Sequence, residues 1–301
     1  MVSLNECPVC RSSQLLPSFD TSIDALGNVW HLDTCGNCTL TFVNPRPDWS
    51  ELAPYYSDAY APYSKTHSAS SIDSESTVLA EARQSGALRH APVTQGTRLL
   101  DIGCGGGYFM RLATKLGALV EGIEPNEFAA QQARSDGTAV FTGTLQDYVK
   151  QSNGKRFDVV TMNHVLEHTP DPVEELRAVS DLLEKNGACV IAVPNSEHWA
   201  SKYLKDRWHS ADIPRHLVHF TRRSLETTVK NAGLQIQEVK SASLLRGAVN
   251  SHIAWFRHSY KVPRTVSKKI IPLFYNLINN QMQRVDREGL GEALIVKIGH
   301  R

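Results

Sequence analysis

A doubly wound α/β core preceded by a small metal-binding module is the fold class that this 301-residue sequence predicts. Three observations carry the prediction. Short apolar runs alternate with amphipathic stretches from Arg98 onward, a glycine-rich turn follows the first of those runs, and two C-x-x-C pairs stand near the start. Apolar strands separated by helices need crossover connections, and crossovers give a parallel sheet covered on both faces.

Residues 1–45 hold Cys7, Cys10, Cys35 and Cys38. A C-x-x-C turn lets two sulfurs approach one ion from a single tight loop, and two such turns supply the four soft ligands of a tetrahedral zinc site. With no coordination position left open, that zinc is structural. Four free thiols in an unstructured leader are the plainer alternative; a redox dithiol lacks the surrounding βαβ pattern. Gly27 and Asn28 mark a turn between short extended segments, and the module has too few apolar residues to build a core of its own. Cys104 and Cys189 read as small packing residues. Residues 46–95 read as a connector with Pro47, Pro54 and Pro62, the tyrosine-rich YYSDAYAPY, a mobile serine-rich surface stretch and a helix over 77–91.

The core, 96–301, opens with the strand RLLDIG, and LVEGIE, AVFTG, FDVVTMN and ACVIAVPN follow as strands. Between them YFMRLATKLG places Phe109, Leu112, Ala113 and Leu116 on one helical face before Gly117 stops it. VEELRAVSDLLEKNG does the same with Val173, Leu176, Val179 and Leu183 up to Gly187. LQIQEV and EALIVKIGH read as two final strands, separated by an insertion at about 246–288.

Composition excludes more than it selects. With 41% hydrophobic and 21% charged residues the chain reads as soluble and globular, and a formal net charge of +1 provides no global field toward nucleic acid or an anionic membrane. The start lacks a basic stretch followed by an apolar run, and no window of about 18 residues is continuously apolar, so a cytoplasmic protein is expected.

Chemistry concentrates first in LLDIGCGGGYF, which sets Asp101, Gly103 and Gly105 between an apolar strand and an amphipathic helix. Glycines at such a turn permit backbone angles closed to other residues and let the chain approach a ligand closely. The next strand ends in Glu124, placed to accept two hydrogen bonds from a ribose diol. A dinucleotide site uses the same two devices. Asp101 separates the readings, because an acid just before the turn repels a pyrophosphate and holds an ammonium, which S-adenosylmethionine carries.

The stretches DIGCGGG, VEGIEP, FDVVTMNHVLEHTPDP and PRHLVHFT, in that order over roughly residues 96–245, resemble class I S-adenosylmethionine-dependent methyltransferases. The likeness is greatest to bacterial small-molecule enzymes related to the ubiquinone-pathway O-methyltransferases. A cysteine-rich segment ahead of such a core also resembles zinc-containing bacterial sugar C-methyltransferases. The resemblance implies a seven-stranded Rossmann-like methyltransferase sheet. It further implies that Asp101, Gly103 and Gly105 line the methionine portion of the cofactor and Glu124 its ribose. Pro125 and Leu145 would then flank the adenine, and Asn163 and His164 would close the pocket. Thr144 departs from the family pattern, which often has an acid there for the adenine amino group.

Methyl transfer from a sulfonium is an in-line displacement, and the protein's minimum task is to align the nucleophile and take its proton where needed. In a doubly wound sheet the reacting atoms lie beyond the carboxyl ends of the strands, so the loops after FDVVTMN and ACVIAVPN are the candidates; they hold half of the chain's 12 histidines. His168 and His216 are the preferred bases, and His219 could instead support the fold. Arg207 or Arg215 could grip the diphosphate of a nucleotide-linked sugar, although a solvated helix face is the ordinary reading. The insertion mixes Trp255, Phe256, Phe274 and Tyr275 with Arg257, Lys261, Arg264, Lys268 and Lys269. A lid is its favoured reading, and contact with a membrane surface through 255–280 the sharper one. The expected reaction is methyl transfer to carbon or oxygen of a small-molecule acceptor, a sugar or a cell-surface or natural-product precursor. RNA methylation and a non-catalytic cofactor-binding scaffold compete with it, and the lack of a strongly basic N-terminal segment counts against RNA.

Overall fold

The computed structural model describes residues 1–17, 22–23, 27–56, 88–135, 137–243 and 245–301. The chain divides into two units. One comprises Met1–Asp48, Val193–Thr227 and Val239–Leu294; the other comprises Trp49–Ala192, Thr228–Glu238 and Ile295–Arg301. The stretch 57–76 and most of the helix expected over 77–91 lie outside the described residues, and Leu88–His90 forms a single 3-10 turn.

The second unit is built on five core strands, Arg98–Ile102, Leu119–Glu124, Ala139–Thr142, Phe157–Asn163 and Leu183–Pro194. They pair in parallel in the order third, second, first, fourth, fifth. The sheet continues through Ala293–Gly299 to Gln235–Ala242 at its edge, which gives the seven strands expected. Leu99, Leu100, Val160, Met162 and Ile191 are wholly buried, as strands covered on both faces require. Strand order reverses between the first and fourth strands, and a crevice at their carboxyl ends follows from that reversal. The helix Tyr108–Lys115 buries Phe109, Met110, Leu112 and Ala113, and Gly117 behind it takes a left-handed φ of 91°.

One helix is shorter than its periodicity predicts. Pro172–Leu182 stops before Leu183, which instead opens the fifth strand and pairs with Phe157. Leu183 is fully buried, and a buried leucine fits a helical stripe as well as a strand, so helical spacing alone did not mark the boundary. A register shift follows before Ala188 pairs with Val159. Gly187 lies in this bulge, where an added Cβ would sit 3.0 Å from the Glu184 amide nitrogen, the Glu184 carbonyl oxygen and the Phe157 carbonyl oxygen.

In the first unit Leu15–Pro17, Leu32–Cys35 and Thr41–Val43 form an antiparallel sheet. Its fourth strand, Val218–His219, comes from far along the chain and pairs with Phe42 and Thr41. The cysteine segment thus completes its core with borrowed residues. The Val43 amide donates to the Leu217 carbonyl at 2.9 Å, and the Thr39 and Thr221 hydroxyls meet at 2.7 Å. Ser22–Ile23 and Val29–Trp30 pair antiparallel, with Gly27 between them at φ 84°. The expected insertion is helical over Leu245–Tyr260, Arg264–Ile270 and Tyr275–Arg287.

A methyl group at Gly187 meets only backbone, which cannot turn aside. Gly187→Ala is expected to lower stability by ~1–3 kcal/mol, read from thermal or denaturant unfolding; an unchanged transition would show that the bulge has room.

Candidate functional site

Asp101 is the fourth residue of the first core strand and is almost wholly buried; its Oδ1 accepts from the Thr161 hydroxyl on the fourth strand at 2.8 Å. The chain then turns. Gly103, at φ 67°, could carry no side chain, since a Cβ would lie 2.5 Å from Val165 Cγ2. The amides of Gly103 and Cys104 both donate to the Ile123 carbonyl, at 2.8 and 3.1 Å. Gly105 donates its amide to Glu124 Oε2 at 2.9 Å, and the Asn126 amide donates to Oε1 of the same carboxylate at 2.9 Å. Asn126 in turn caps the helix Glu127–Arg134 by accepting from the Ala129 amide.

Two acids therefore share one buried turn. Desolvation pushes the Asp101 pKa up to about 7, against the Thr161 hydrogen bond and with a smaller push from the charge of Glu124. Glu124 is raised too, by burial, while the amides of Asn126 and Gly105 pull it back. Among the described residues no lysine, arginine or histidine pairs with either carboxylate. Such a site gains most from a cationic ligand.

Around the turn the remaining cofactor candidates fall as follows. Pro125 is exposed directly beyond Glu124, and Leu145 is buried at the start of the helix Leu145–Gln151. Thr144 caps that helix, accepting from the Asp147 amide and donating to Asp147 Oδ2 at 2.7 Å. Asn163 ends the fourth strand. His164 follows with a left-handed φ of 57°, uncommon for a residue with a side chain, and its Nδ1 lies 3.0 Å from the buried Glu167 carboxylate. His168 Nδ1 lies 2.9 Å from the Tyr56 hydroxyl, and the Tyr56 ring packs on Trp49. Sequence reasoning named neither Glu167 nor Tyr56. The i, i+3 spacing in HVLE signalled the first, whereas nothing local marked the second.

His216 belongs to the first unit, whereas His168 belongs to the second. It is buried, with Nδ1 2.9 Å from the Ser210 carbonyl and Nε2 3.8 Å from Asp212. Arg215 makes a two-pronged pair with the same Asp212, so its guanidinium is engaged locally. Arg207 is exposed, with one terminal nitrogen 2.6 Å from His258 Nδ1. His219 lies in the strand that pairs with Thr41.

The four N-terminal cysteines converge, with all their sulfurs within 4.8 Å of one another. Cys7 and Cys38 approach to 3.5 Å, as do Cys10 and Cys35. Both C-x-x-C turns close alike: the Arg11 amide donates to the Cys7 carbonyl and the Thr39 amide to the Cys35 carbonyl, each at 3.0 Å, with Arg11 and Thr39 left-handed. The Cys38 amide reaches Cys35 Sγ at 3.4 Å and the Asn37 side chain reaches Cys10 Sγ at 3.6 Å. Donors aimed at sulfur favour the thiolate. The hydrogen bond with Cys38 pulls Cys7 down to about 5, while burial pushes Cys35 up. Soft, clustered and fourfold, the donor set fits a closed zinc site.

A parallel sheet of this order, with buried acids at the ends of its first two strands, defines a doubly wound α/β protein with its crevice at the sheet's switch point. A family model described as a methyltransferase domain matches residues 58–239, and the chain belongs to that family, the class I S-adenosylmethionine-dependent methyltransferases. Among its relatives, the ubiquinone biosynthesis O-methyltransferase of Actinobacillus pleuropneumoniae is 33% identical over 109 residues, 33% of this chain and 47% of the relative. That of Xanthomonas axonopodis pv. citri is 31% identical over 163 residues, 48% of this chain and 65% of the relative. The chain thus spans less than two thirds of either relative's own length. Among solved structures, an S-adenosylmethionine-dependent methyltransferase from Archaeoglobus fulgidus aligns with a TM-score of 0.48 at 22% identity, over 75% of this chain and 94% of that one. Another, from Mesorhizobium loti, aligns with a TM-score of 0.48 at 18% identity, over 73% and 99%.

Asp101 is neutral below its pKa of about 7 and anionic above it, so an ammonium-bearing ligand should bind more tightly as pH rises. Calorimetric affinity for S-adenosylhomocysteine is expected to improve about tenfold between pH 6 and pH 7.5. In Asp101→Asn that dependence should vanish; a slope that survives the substitution would assign it to another group.

Proposed function

We propose that this enzyme methylates carbon or oxygen of a small-molecule acceptor, a sugar or a cell-surface or natural-product precursor, with a nucleotide-linked sugar as one form. The observation that carries the cofactor side is the pair of buried acids, Asp101 and Glu124, around a turn that only glycine can make. S-adenosylmethionine supplies the electrophilic methyl group when bound. Asp101 takes the amino acid's ammonium, directly or through water. Gly103 and Gly105 leave room for the methionine portion. Each Glu124 oxygen accepts one amide and retains a lone pair for a ribose hydroxyl. Pro125 and Leu145 flank the adenine, and Asn163 and His164 close the pocket.

His168 and His216 are the candidate bases. The Ser210 carbonyl only accepts, so His216 carries a proton on Nδ1, and in the neutral ring the lone pair sits on Nε2. When His168 donates from Nδ1 to the Tyr56 hydroxyl, its lone pair likewise sits on Nε2. Arg215 is a weaker candidate for a diphosphate than its sequence position suggests, because Asp212 already occupies it. In this reading residues 1–45 are a module around a structural zinc on Cys7, Cys10, Cys35 and Cys38, 46–95 a connector, and 96–301 the methyltransferase domain with its insertion at 246–288. Among the described residues no helix is long and apolar enough to cross a membrane. A cytoplasmic location is part of the proposal; nucleic acid is not among the partners.

Incubating cell extract with the enzyme and methyl-labelled cofactor should place label in a small-molecule fraction; label recovered in RNA would replace this acceptor class. Tyr56→Phe is expected to lower kcat and shift its pH profile while affinity for S-adenosylhomocysteine stays constant, and His168→Gln to lower kcat by about 10²- to 10⁴-fold. Full activity in both would remove His168 as a base. Metal analysis should find about one zinc per chain, and Cys7→Ser should lose it together with thermal stability.

A further inference from the structure

The helices of the insertion have an inside and an outside. Ala248, Val249, Ile271 and Ile278 form a small core, against which Ile253, Phe256 and Met282 pack. What remains outward is apolar to an unusual degree: Leu273 is 80% exposed, Leu277 65%, Tyr260 61% and Phe274 48%. Leu273 and Leu277 are four residues apart where the 3-10 turn Ile271–Phe274 leads into the helix Tyr275–Arg287. Exposed Arg257, Lys261, Lys268 and Lys269 share the segment. No aspartate or glutamate occurs between Glu238 and Asp286, so a chain of net charge +1 concentrates positive charge here and is net negative elsewhere.

These two features select one kind of partner. A nucleic acid backbone rewards the lysines but gains nothing from Leu273 or Leu277. A purely apolar protein partner rewards the leucines and must desolvate the lysines. An anionic bilayer rewards both, since its phosphates lie directly over hydrocarbon and long basic side chains reach the one while apolar side chains enter the other. No described helix is long and apolar enough to span, so contact is confined to the surface.

We propose that this segment docks on an anionic lipid bilayer, with Leu273, Phe274 and Leu277 entering the boundary between headgroups and acyl chains, and with Lys261, Lys268 and Lys269 on the phosphates. The proposal does not rest on the identity of the acceptor. It assigns the insertion a place where a lipid-linked or otherwise membrane-held substrate would be met.

The test is co-sedimentation of the full chain with vesicles of phosphatidylglycerol and phosphatidylcholine in equal parts, beside vesicles of phosphatidylcholine alone. Binding is expected to the first and not the second, and to weaken as salt is raised. Lys268→Gln with Lys269→Gln should lower partitioning by roughly thirtyfold. Leu273→Glu with Leu277→Glu should reduce it to the level of the neutral vesicles. Thermal unfolding and affinity for S-adenosylhomocysteine should be unchanged in both variants, so that lost binding is not lost folding. Equal partitioning onto both vesicle types, none onto either, or leucine variants that bind like the parent would each overturn the proposal. So would sedimentation velocity showing that the parent self-associates and the leucine variant does not, because a second copy would then be the occupant.

Discussion

The clasp of Glu124 on the glycine turn is the interaction on which the site depends. One carboxylate accepts the amide of Gly105 after the first strand and the amide of Asn126 after the second, and it does so while buried. Removing it would strand two inward-facing amides, each costing about 1–3 kcal/mol. The same contact ties the turn to the capped start of the helix Glu127–Arg134, so strand, turn and helix are set together. Asp101 is brought into that crevice by strand register: it pairs beside Thr161 on the fourth strand and Gly122 on the second. Gly122 is itself constrained, since a Cβ there would meet Met110 and Cys104 below 3.0 Å. The position of two acids in one small volume is thus a result of packing around them.

Legibility in the sequence followed the range of the interaction. Asp101, Gly103, Gly105 and Glu124 could be read because a strand, a glycine turn and the tip of the next strand are features of local spacing. The cysteines were equally plain, since C-x-x-C encodes its own turn. Leu183 was misassigned because one buried leucine satisfies a helical stripe and a strand alike, and only its pairing with Phe157 decides between them. Thr144, read as a departure from a cofactor pattern, has a local duty as a helix cap. Tyr56 was passed over inside a stretch whose composition reads as a connector, because its contact with His168 joins residues more than a hundred positions apart.

The borrowed strand shows the same limit from another side. That the cysteine segment lacks a core is visible in its composition; that Val218–His219 supplies the missing edge is not, because two residues carry no periodicity. The PRHLVHFT stretch was read for its chemistry, yet Leu217, Val218 and Phe220 are buried there and the backbone of Leu217 serves Val43. Its two histidines accordingly divide the work. His219 lies in the pairing strand, whereas His216 is held by the Ser210 carbonyl in a defined tautomer.

Holding Asp101 buried has a thermodynamic consequence that bears on the ligand. Its folded pKa of about 7 stands above the ordinary aspartate value of 3.8, so across that interval the folded chain keeps a proton that the unfolded chain releases. Stability from this group is therefore complete below the unfolded pKa and is lost as pH rises toward the folded one. Near neutrality the ligand-free site carries the remaining penalty as a partly ionised, desolvated carboxylate. A ligand bearing an ammonium relieves that penalty where it is largest, so its stabilising effect should grow with pH over the same interval. A neutral ligand has no such leverage and a pyrophosphate has the opposite one, so under the proposed cofactor assignment the burial of Asp101, more than the glycines beside it, is what would favour a cationic cofactor.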